Sequence, residues 1–282
     1  MSAAPRGGWW RAGPEWIGAA IRHGLSASYN ACAYVGGLVA ILGSVAQRTG
    51  RAVSGRGPRI RFSSITAQSF RFGVRSVPIV ALVQVFIGVI LALNLAPTLE
   101  SYGQVEQTAT VVAIAVVREL GPLITAILLS GFAGASIAAE LGAMVEGEEI
   151  KALRAHALDP IRFLVAPRVI ATSVMLVGLA TLAAAVGNVG GFLTGVFILD
   201  IAPLVYIDTT RSAVDAGDYL TGLLKAAVFG VIIAALACYE GLNVRGGAEG
   251  VGRATTTTVV KSIVALIAAD CVFTAIFYTL GW

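Results

Sequence analysis

Two adjacent charged residues, Arg118 and Glu119, interrupt an apolar run from Thr110 to Leu129. A charge at the centre of a bilayer costs at least about 2.5 kcal/mol on insertion scales. Neighbours on a helix point about 100° apart, so the two side chains cannot simply neutralise each other. Each therefore needs another helix, another subunit or a wet cavity. Two interpretations stay open: an interhelical ion pair, or a cavity for a polar or anionic headgroup. Arg118 suits the second, because its planar guanidinium binds phosphate or carboxylate groups.

A second intramembrane acid, Asp270, lies near the middle of the last apolar segment of the chain. Lys225 is the cation nearest to it in predicted depth. We favour a structural pair between them over a proton relay.

The remaining candidates for catalysis or metal binding do not form a site. The three cysteines are odd in number and lie in apolar runs, and the two histidines lie far apart without a partner motif. We therefore expect neither a disulfide framework nor a metal site. The apolar segments contain no Ser/His or paired-aspartate arrangement, which disfavours an intramembrane enzyme.

The composition indicates which elements hold these charges. Of the 282 residues, 57% are hydrophobic and only 13% are charged, with a mean hydropathy of +0.83. Globular domains carry roughly 25% charged residues. No stretch has the polar composition of a water-exposed domain, so the sequence predicts an all-α integral membrane protein.

Five segments have the roughly 20 mostly apolar residues that a bilayer core of about 30 Å requires. They are residues 77–99, 108–135, 169–199, 221–239 and 259–280. Arginine and lysine are concentrated in 48–75 and 151–168, whereas 200–218 has four aspartates and one arginine. Because positive loops stay in the cytoplasm, five spans place the N-terminus inside and the C-terminus outside.

The first 76 residues are strongly basic, with ten arginines and a single acid. We interpret 1–76 as a cytoplasmic segment and 77–282 as the membrane domain. Residues 15–47 are expected to form helices lying in the interface, with Trp9, Trp10 and Trp16 as headgroup anchors. Whether 29–47 spans the membrane or lies on it stays open. The basic stretch has no stacking motif for nucleic acid, so we expect it to contact headgroups.

Three motifs occur in a specific order: RELGP at 118–122, AELGAMVEGEEIKALRAHALDPIRFLVAPRV at 139–169, and GLNVRGGAEGVGRATTTTVV at 241–260. Together they resemble the MlaE/YrbE permease family, the membrane subunits of ABC transporters that work with MCE proteins. The resemblance covers roughly residues 69–280. It implies a homodimer of five-spanning subunits, preceded by interfacial helices, in a bacterial inner membrane.

The resemblance also implies a function and partners. The family moves phospholipids or related lipids between membranes together with a separate ABC ATPase and an MCE-domain protein; a small regulatory subunit on the ATPase is a further candidate partner. The chain contains no GxxxxGK[ST] loop, so ATP and magnesium would be bound by the ATPase. We expect no cofactor in this chain and no enzymatic activity of its own.

The family's functional positions carry over onto matching residues. The lipid pocket falls on Arg118, Glu119, Leu120, Tyr102, Leu91 and Thr98, the last in place of an expected aliphatic residue. The helix that couples to the ATPase falls on about 140–155, with Glu140, Glu149 and Leu153. A family lysine and acid stand at Lys225 and Asp270, in a structural or gating role. The alternative function is an ion-coupled secondary transporter that uses Glu119 and Asp270 and needs no ATPase.

Overall fold

A computed structural model describes residues 12–54 and 62–280. These residues form helices and no strands, which confirms the all-α class. The helices are α1 (Ala12–Val53), α2 (Phe62–Phe72), α3 (Val77–Ser101), α4 (Gln107–Glu146), α5 (Glu149–Ala155), α6 (Ile161–Phe197), α7 (Pro203–Ala213), α8 (Ala216–Leu242) and α9 (Gly247–Leu280).

Within the described ranges, five helical stretches are long and apolar enough to cross a membrane, as predicted. They contain α3, α4, α6, α8 and α9. The 42-residue helix α1 is not among them, and its place in the interface stays a prediction. Trp9, Trp10 and the side chain of Trp16, the predicted anchors, lie outside what the structure describes.

The packed bundle begins before residue 77. Helix α2 lies against α6, and the Phe72 side chain at its end is only 1% exposed within the main core. The first membrane-crossing stretch accordingly starts at Ser63. Phe72 of α2 thus joins the main core of the bundle, although the surrounding arginines place this region in the basic segment by composition.

Helix α8 lies at the centre of the bundle, where it packs against α4, α6 and α9. Its side chains Phe229, Ile233 and Ala234 are fully buried. Helices α3 and α6 approach most closely through glycines: a Cβ atom on Gly88 would lie 1.9 Å from the carbonyl oxygen of Gly187. Such backbone contacts associate helices where lipid removes the hydrophobic driving force.

Helix α4 is widened by a π turn at Val116–Leu120, the segment that holds the charged motif. Pro122 has no N–H, so it cannot bond the carbonyl of Arg118 as a regular helix requires. The N–H of Gly121 instead bonds the carbonyl of Val116, five residues back. A Cβ on Gly121 would lie 2.5 Å from that oxygen, so glycine is required there. Bulges of this kind are frequent at functional sites.

The predicted single helix over 140–155 is wrong in its boundaries, because two helices occupy this segment. Helix α4 continues to Glu146, and α5 starts at Glu149. Between them Glu148 has φ 58°, a left-handed conformation that a right-handed helix cannot contain. Ile150, 6% exposed, anchors α5 to the bundle.

Candidate functional site

Three helices meet at an ion-pair cluster in the membrane domain, which we define as Glu119, Lys225, Asp270 and Thr274. The Lys225 Nζ atom lies 2.5 Å from Glu119 Oε2 and 2.9 Å from Asp270 Oδ1. It also donates a hydrogen bond to Thr274 Oγ1 at 3.0 Å, and that hydroxyl donates to Glu119 Oε1 at 3.2 Å. The cluster therefore joins α4, α8 and α9 through one ammonium group.

Burial differs across the cluster. The Lys225 side chain is completely buried, whereas the side chains of Glu119 and Asp270 are 31% and 15% exposed. A buried ammonium group is stable only when paired. The carboxylates of Glu119 and Asp270 pair with the ammonium group of Lys225. The cluster therefore has two acidic groups for one basic group, and Glu119 is its most exposed charged member.

Arg118 points to a different partner from its neighbour Glu119. Its Nη1 atom donates to Asp218 Oδ1 at 3.2 Å. Asp218 lies in the first turn of α8, where its other oxygen accepts the backbone N–H of Asp215 in a capping box. Asp218 and Lys225 are seven residues apart, which is about 10 Å along a helix. The adjacent charges on α4 thus contact two levels of α8, with interhelical ion pairs at both.

A buried glutamine supports the bulge from the neighbouring helix. The Gln84 side chain of α3 is fully buried, and its amide nitrogen lies 3.4 Å from the carbonyl oxygens of Leu120 and Gly121 and from Thr125 Oγ1. The side-chain amide of Gln84 thus donates hydrogen bonds to backbone carbonyl oxygens at the end of the π turn.

Gln84, Asp218 and Thr274 are not among the site residues predicted from the sequence. Two of them had usable signals, since Gln84 is a polar residue within an apolar segment and Thr274 follows Asp270 by one helical turn. Asp218 was interpreted only as part of an acidic outer loop.

The other predicted pocket residues are Leu120, next to Glu119 of the ion-pair cluster, and three residues on or directly after α3. Leu91 packs on the small apolar cluster of Ala92, Val112 and Val116. Thr98 is exposed, and Tyr102, at the end of α3, is 75% exposed. Leu120 is partly buried within the bulge itself. The single chain therefore does not enclose these four side chains in one pocket.

The residues predicted to couple to an ATPase are also separated. On α5, Glu149 is exposed and Leu153 is partly exposed on the same face. Glu140 belongs to α4 and pairs inside the chain, with its Oε1 2.6 Å from Arg71 Nη1 and its Oε2 2.9 Å from Arg168 Nη2. Glu140 is therefore held by α2 and α6 rather than presented on α5.

The N-terminal helix α1 is attached to the bundle at two points. Tyr34 donates a 2.7 Å hydrogen bond to Glu240 of α8, and Lys261 of α9 bonds the same carboxylate while lying over the tyrosine ring. Arg48 pairs with Asp159, which also accepts the N–H of Ile161 at the start of α6. The second contact is close in sequence to α5.

No group of three or more potential metal ligands is found in the part of the chain that the structure describes. Five apolar helices long enough to span a membrane surround paired internal charges, so the chain is a multi-pass α-helical membrane protein. In proteins of this class, charged groups at intramembrane depth mark transport pathways.

Comparison with known proteins identifies the family within this class. The family model described as Permease MlaE matches residues 65–276, so the chain belongs to the MlaE permease family. The chain is 37% identical over 221 residues to a probable ABC transporter permease protein of Rickettsia prowazekii, covering 78% of this chain and 85% of that one.

Two further relatives are informative. The intermembrane phospholipid transport system permease protein MlaE of Haemophilus influenzae is 33% identical over 79% of this chain and 87% of its own. The chloroplastic protein TRIGALACTOSYLDIACYLGLYCEROL 1 of Arabidopsis thaliana is 33% identical over 78% of this chain and 63% of its own. The predicted family is therefore confirmed.

Proposed function

We propose that this chain is the membrane subunit of an ABC transporter that moves phospholipid between membranes. It would act as a homodimer, with a separate ATPase on the cytoplasmic side and an MCE-domain protein outside. The family membership supports a permease, and the name of the Haemophilus influenzae relative, a phospholipid transport system permease, supports phospholipid as the substrate.

The observation that carries the proposal is the partial exposure of the paired charges. The side chains of Arg118 and Glu119 remain 26% and 31% exposed at the surface of a single chain. Charged groups at this depth face a protein interior or a polar cavity, not acyl chains. A second copy of the chain is a suitable cover, and the space between the copies would be a cavity with charged walls.

Within such a dimer, the guanidinium of Arg118 would bind a lipid phosphate. Arginine binds phosphate bidentately, and the Arg118 side chain remains 26% exposed beside Asp218. Leu91, Leu120 and Tyr102 would line the path of the acyl chains, since they lie on α3 and α4 outside the central core. The subunit would supply binding and orientation, while ATP and magnesium stay on the ATPase.

A second candidate function is ion-coupled transport without an ATPase. It is favoured by one observation: Lys225 lies between two carboxylates inside the bundle, and clusters of ionisable groups at intramembrane depth mark ion pathways. Under this alternative, a proton gradient would drive transport.

The two functions are separated by copurification and energy source. The tagged chain is purified from its native membrane, probed for an associated ATPase, and reconstituted in phospholipid vesicles with either ATP or a proton gradient. An ABC permease retains an ATPase and transfers lipid only with ATP. Transfer driven by a proton gradient alone, with no ATPase bound, would show that the proposal is wrong.

The pocket is tested with Arg118→Ala and Glu119→Ala. For each variant, the lipid copurified per folded dimer, the transport rate and the melting temperature are measured together. We expect lipid and transport to fall more than stability. If stability collapses while the lipid bound per folded dimer is unchanged, both residues serve only the interhelical ion pairs. Gly131→Ala, whose Cβ has open space, is a matched control on the same helix.

A further inference from the structure

An apolar groove lies between the last turns of α6 and the short helix α7. Its volume is about 270 Å³. Val189 and Phe192 of α6 form one wall, and Ile207 of α7 lies on the other. The volume is at the lower end of ligand pockets, about 300 to 1,000 Å³. It therefore suits a single slender apolar group rather than a whole diacyl lipid.

The groove is preformed by one aromatic anchor. Tyr206 of α7 is 2% exposed, and its ring meets that of Phe192 edge to face with centroids 5.6 Å apart. The ring also fills the space next to Gly195, where a Cβ would lie 2.4 Å from Cε2 of Tyr206. This contact fixes α7 against α6, so the groove does not need an occupant to form.

The position of the groove matches the boundary between acyl chains and headgroups. Its α6 residues lie within the last four turns of a membrane-crossing helix that ends at Phe197. Val189 and Ile207, on opposite walls, are 52% and 50% exposed. The groove is thus open laterally, toward the surroundings of the bundle, where a spanning helix meets lipid.

One charged side chain, Arg211, also lines the groove. Its side chain is exposed. Residues 200–218 contain four aspartates, and Arg211 is their one arginine. Across residues 12–54 and 62–280, it forms no ion pair. An arginine beside an apolar groove at headgroup depth is complementary to a phosphate ester. Exposed Asp208 lies three residues before Arg211 on α7, where the two side chains are neighbours on the helix surface. This carboxylate disfavours a net anionic lipid and suits an ammonium group.

We propose that the groove binds one acyl chain of a zwitterionic phospholipid, with Arg211 contacting the phosphate and Asp208 facing the amine. This lipid site is separate from the ion-pair cluster of Glu119, Lys225, Asp270 and Thr274. It does not depend on the proposed transport function, because a lipid bound from one leaflet is compatible with either energy source.

A photocrosslinking amino acid at Val189 tests the site. The control position is Val174 on the same helix, which is 60% exposed but outside the groove. Each protein is purified in its complete complex and supplied with micelles containing phosphatidylethanolamine or the uncharged diacylglycerol of the same chains. Loosely bound lipid is then washed away with detergent before the sample is irradiated. Adducts are identified by mass spectrometry. We expect a phosphatidylethanolamine adduct at Val189 that survives washing, and little at Val174.

The role of Arg211 is tested with Arg211→Gln and with Arg245→Gln, an exposed arginine beyond the opposite end of α8. Loss of a charge-assisted hydrogen bond predicts about a tenfold smaller adduct yield at Val189 for Arg211→Gln, and no change for Arg245→Gln. The melting temperature of each variant is measured so that yields are compared among folded proteins. Arg211→Lys, which keeps the charge without the planar fork, should give an intermediate yield.

Three results would overturn the proposal. Diacylglycerol that labels Val189 as strongly as phosphatidylethanolamine would exclude phosphate recognition. Equal labelling at Val174 after washing would mean that the lipid is only part of the general lipid shell. A protein adduct at Val189 would show that a second copy or another subunit covers the groove. None of these results would affect the tests of ATP-driven transport.

Discussion

The ammonium group of Lys225 lies 2.9 Å from a carboxylate oxygen of Asp270, which joins α8 to the C-terminal half of α9. The same ammonium group also contacts Glu119 of α4, so three spanning helices depend on one fully buried cation. An ion pair at this depth is costly to break, because the remaining charges stay away from water.

We therefore expect Lys225→Met to destabilise the protein by about 3 kcal/mol, since it leaves two carboxylates without their cation. The measurement is thermal or denaturant unfolding in detergent. A triple variant that adds Glu119→Gln and Asp270→Asn removes the uncompensated charges and should recover much of the loss. Unchanged stability in the single variant would contradict the role given to this lysine.

Two tyrosines, the half-buried Tyr34 and the buried Tyr206, should respond differently to loss of the hydroxyl group. Tyr34→Phe removes the hydrogen bond to Glu240 and should cost about 1 kcal/mol. Tyr206 has a buried hydroxyl that finds no hydrogen-bond partner within the described residues, so Tyr206→Phe should be neutral or stabilising. Both are compared by melting temperature, and limited proteolysis reports release of α1 in Tyr34→Phe. Equal effects of the two variants would contradict this assignment.

The hydroxyl of Tyr206 also predicts a pH dependence. Burial raises its pKa from the ordinary value of 10.0 to about 12. The folded state then binds more protons than the unfolded state, so stability is complete below pH 10 and falls as the pH rises toward 12. Unfolding at a series of pH values measures the decline. Tyr206→Phe should show a smaller decline over this window; an identical slope would refute the assignment.

The exposed face of α5 is expected to contact the ATPase. Glu149 and Leu153 lie one turn apart on this short helix. Replacing both with alanine should uncouple ATP hydrolysis from lipid transfer while the bundle stays folded, because Ile150 still anchors the helix. ATPase activity and transport are measured with the reconstituted complex. Lys151→Ala is the control on the same helix, and normal transport in the double variant would show that α5 is not the contact.

The orientation of the chain follows from its charge asymmetry and can be measured directly. Single cysteines are introduced at exposed Ser212, in the last turn of α7, and at exposed Ala155, at the end of α5, after Cys32 and Cys271 are replaced by serine. An impermeant thiol reagent on intact cells should label position 212 and not position 155. The reverse pattern would mean that the predicted orientation is inverted.

The spans and the family could be predicted from the sequence because both depend on contiguous residues. The stretch 221–239 is apolar enough to read as a span by itself, and the structure extends it only to α8, Ala216–Leu242. The RELGP motif likewise carried the family resemblance without any knowledge of folding. The sequence did not predict the break at Glu148. The left-handed φ of this residue divides the predicted coupling helix into the end of α4 and the short helix α5.

The sequence by itself determined that Arg118, Glu119, Lys225 and Asp270 must have partners, since unpaired charges are too costly in an apolar environment. The sequence suggested Lys225 as the partner of Asp270, but only the tertiary structure decided the partners of Arg118 and Glu119. Asp218 is 100 residues from Arg118, and Lys225 is 106 residues from Glu119. Pairing over such separations depends on how α8 packs against the widened turn of α4. That packing is set by the combined shapes of several helices, which no single segment encodes.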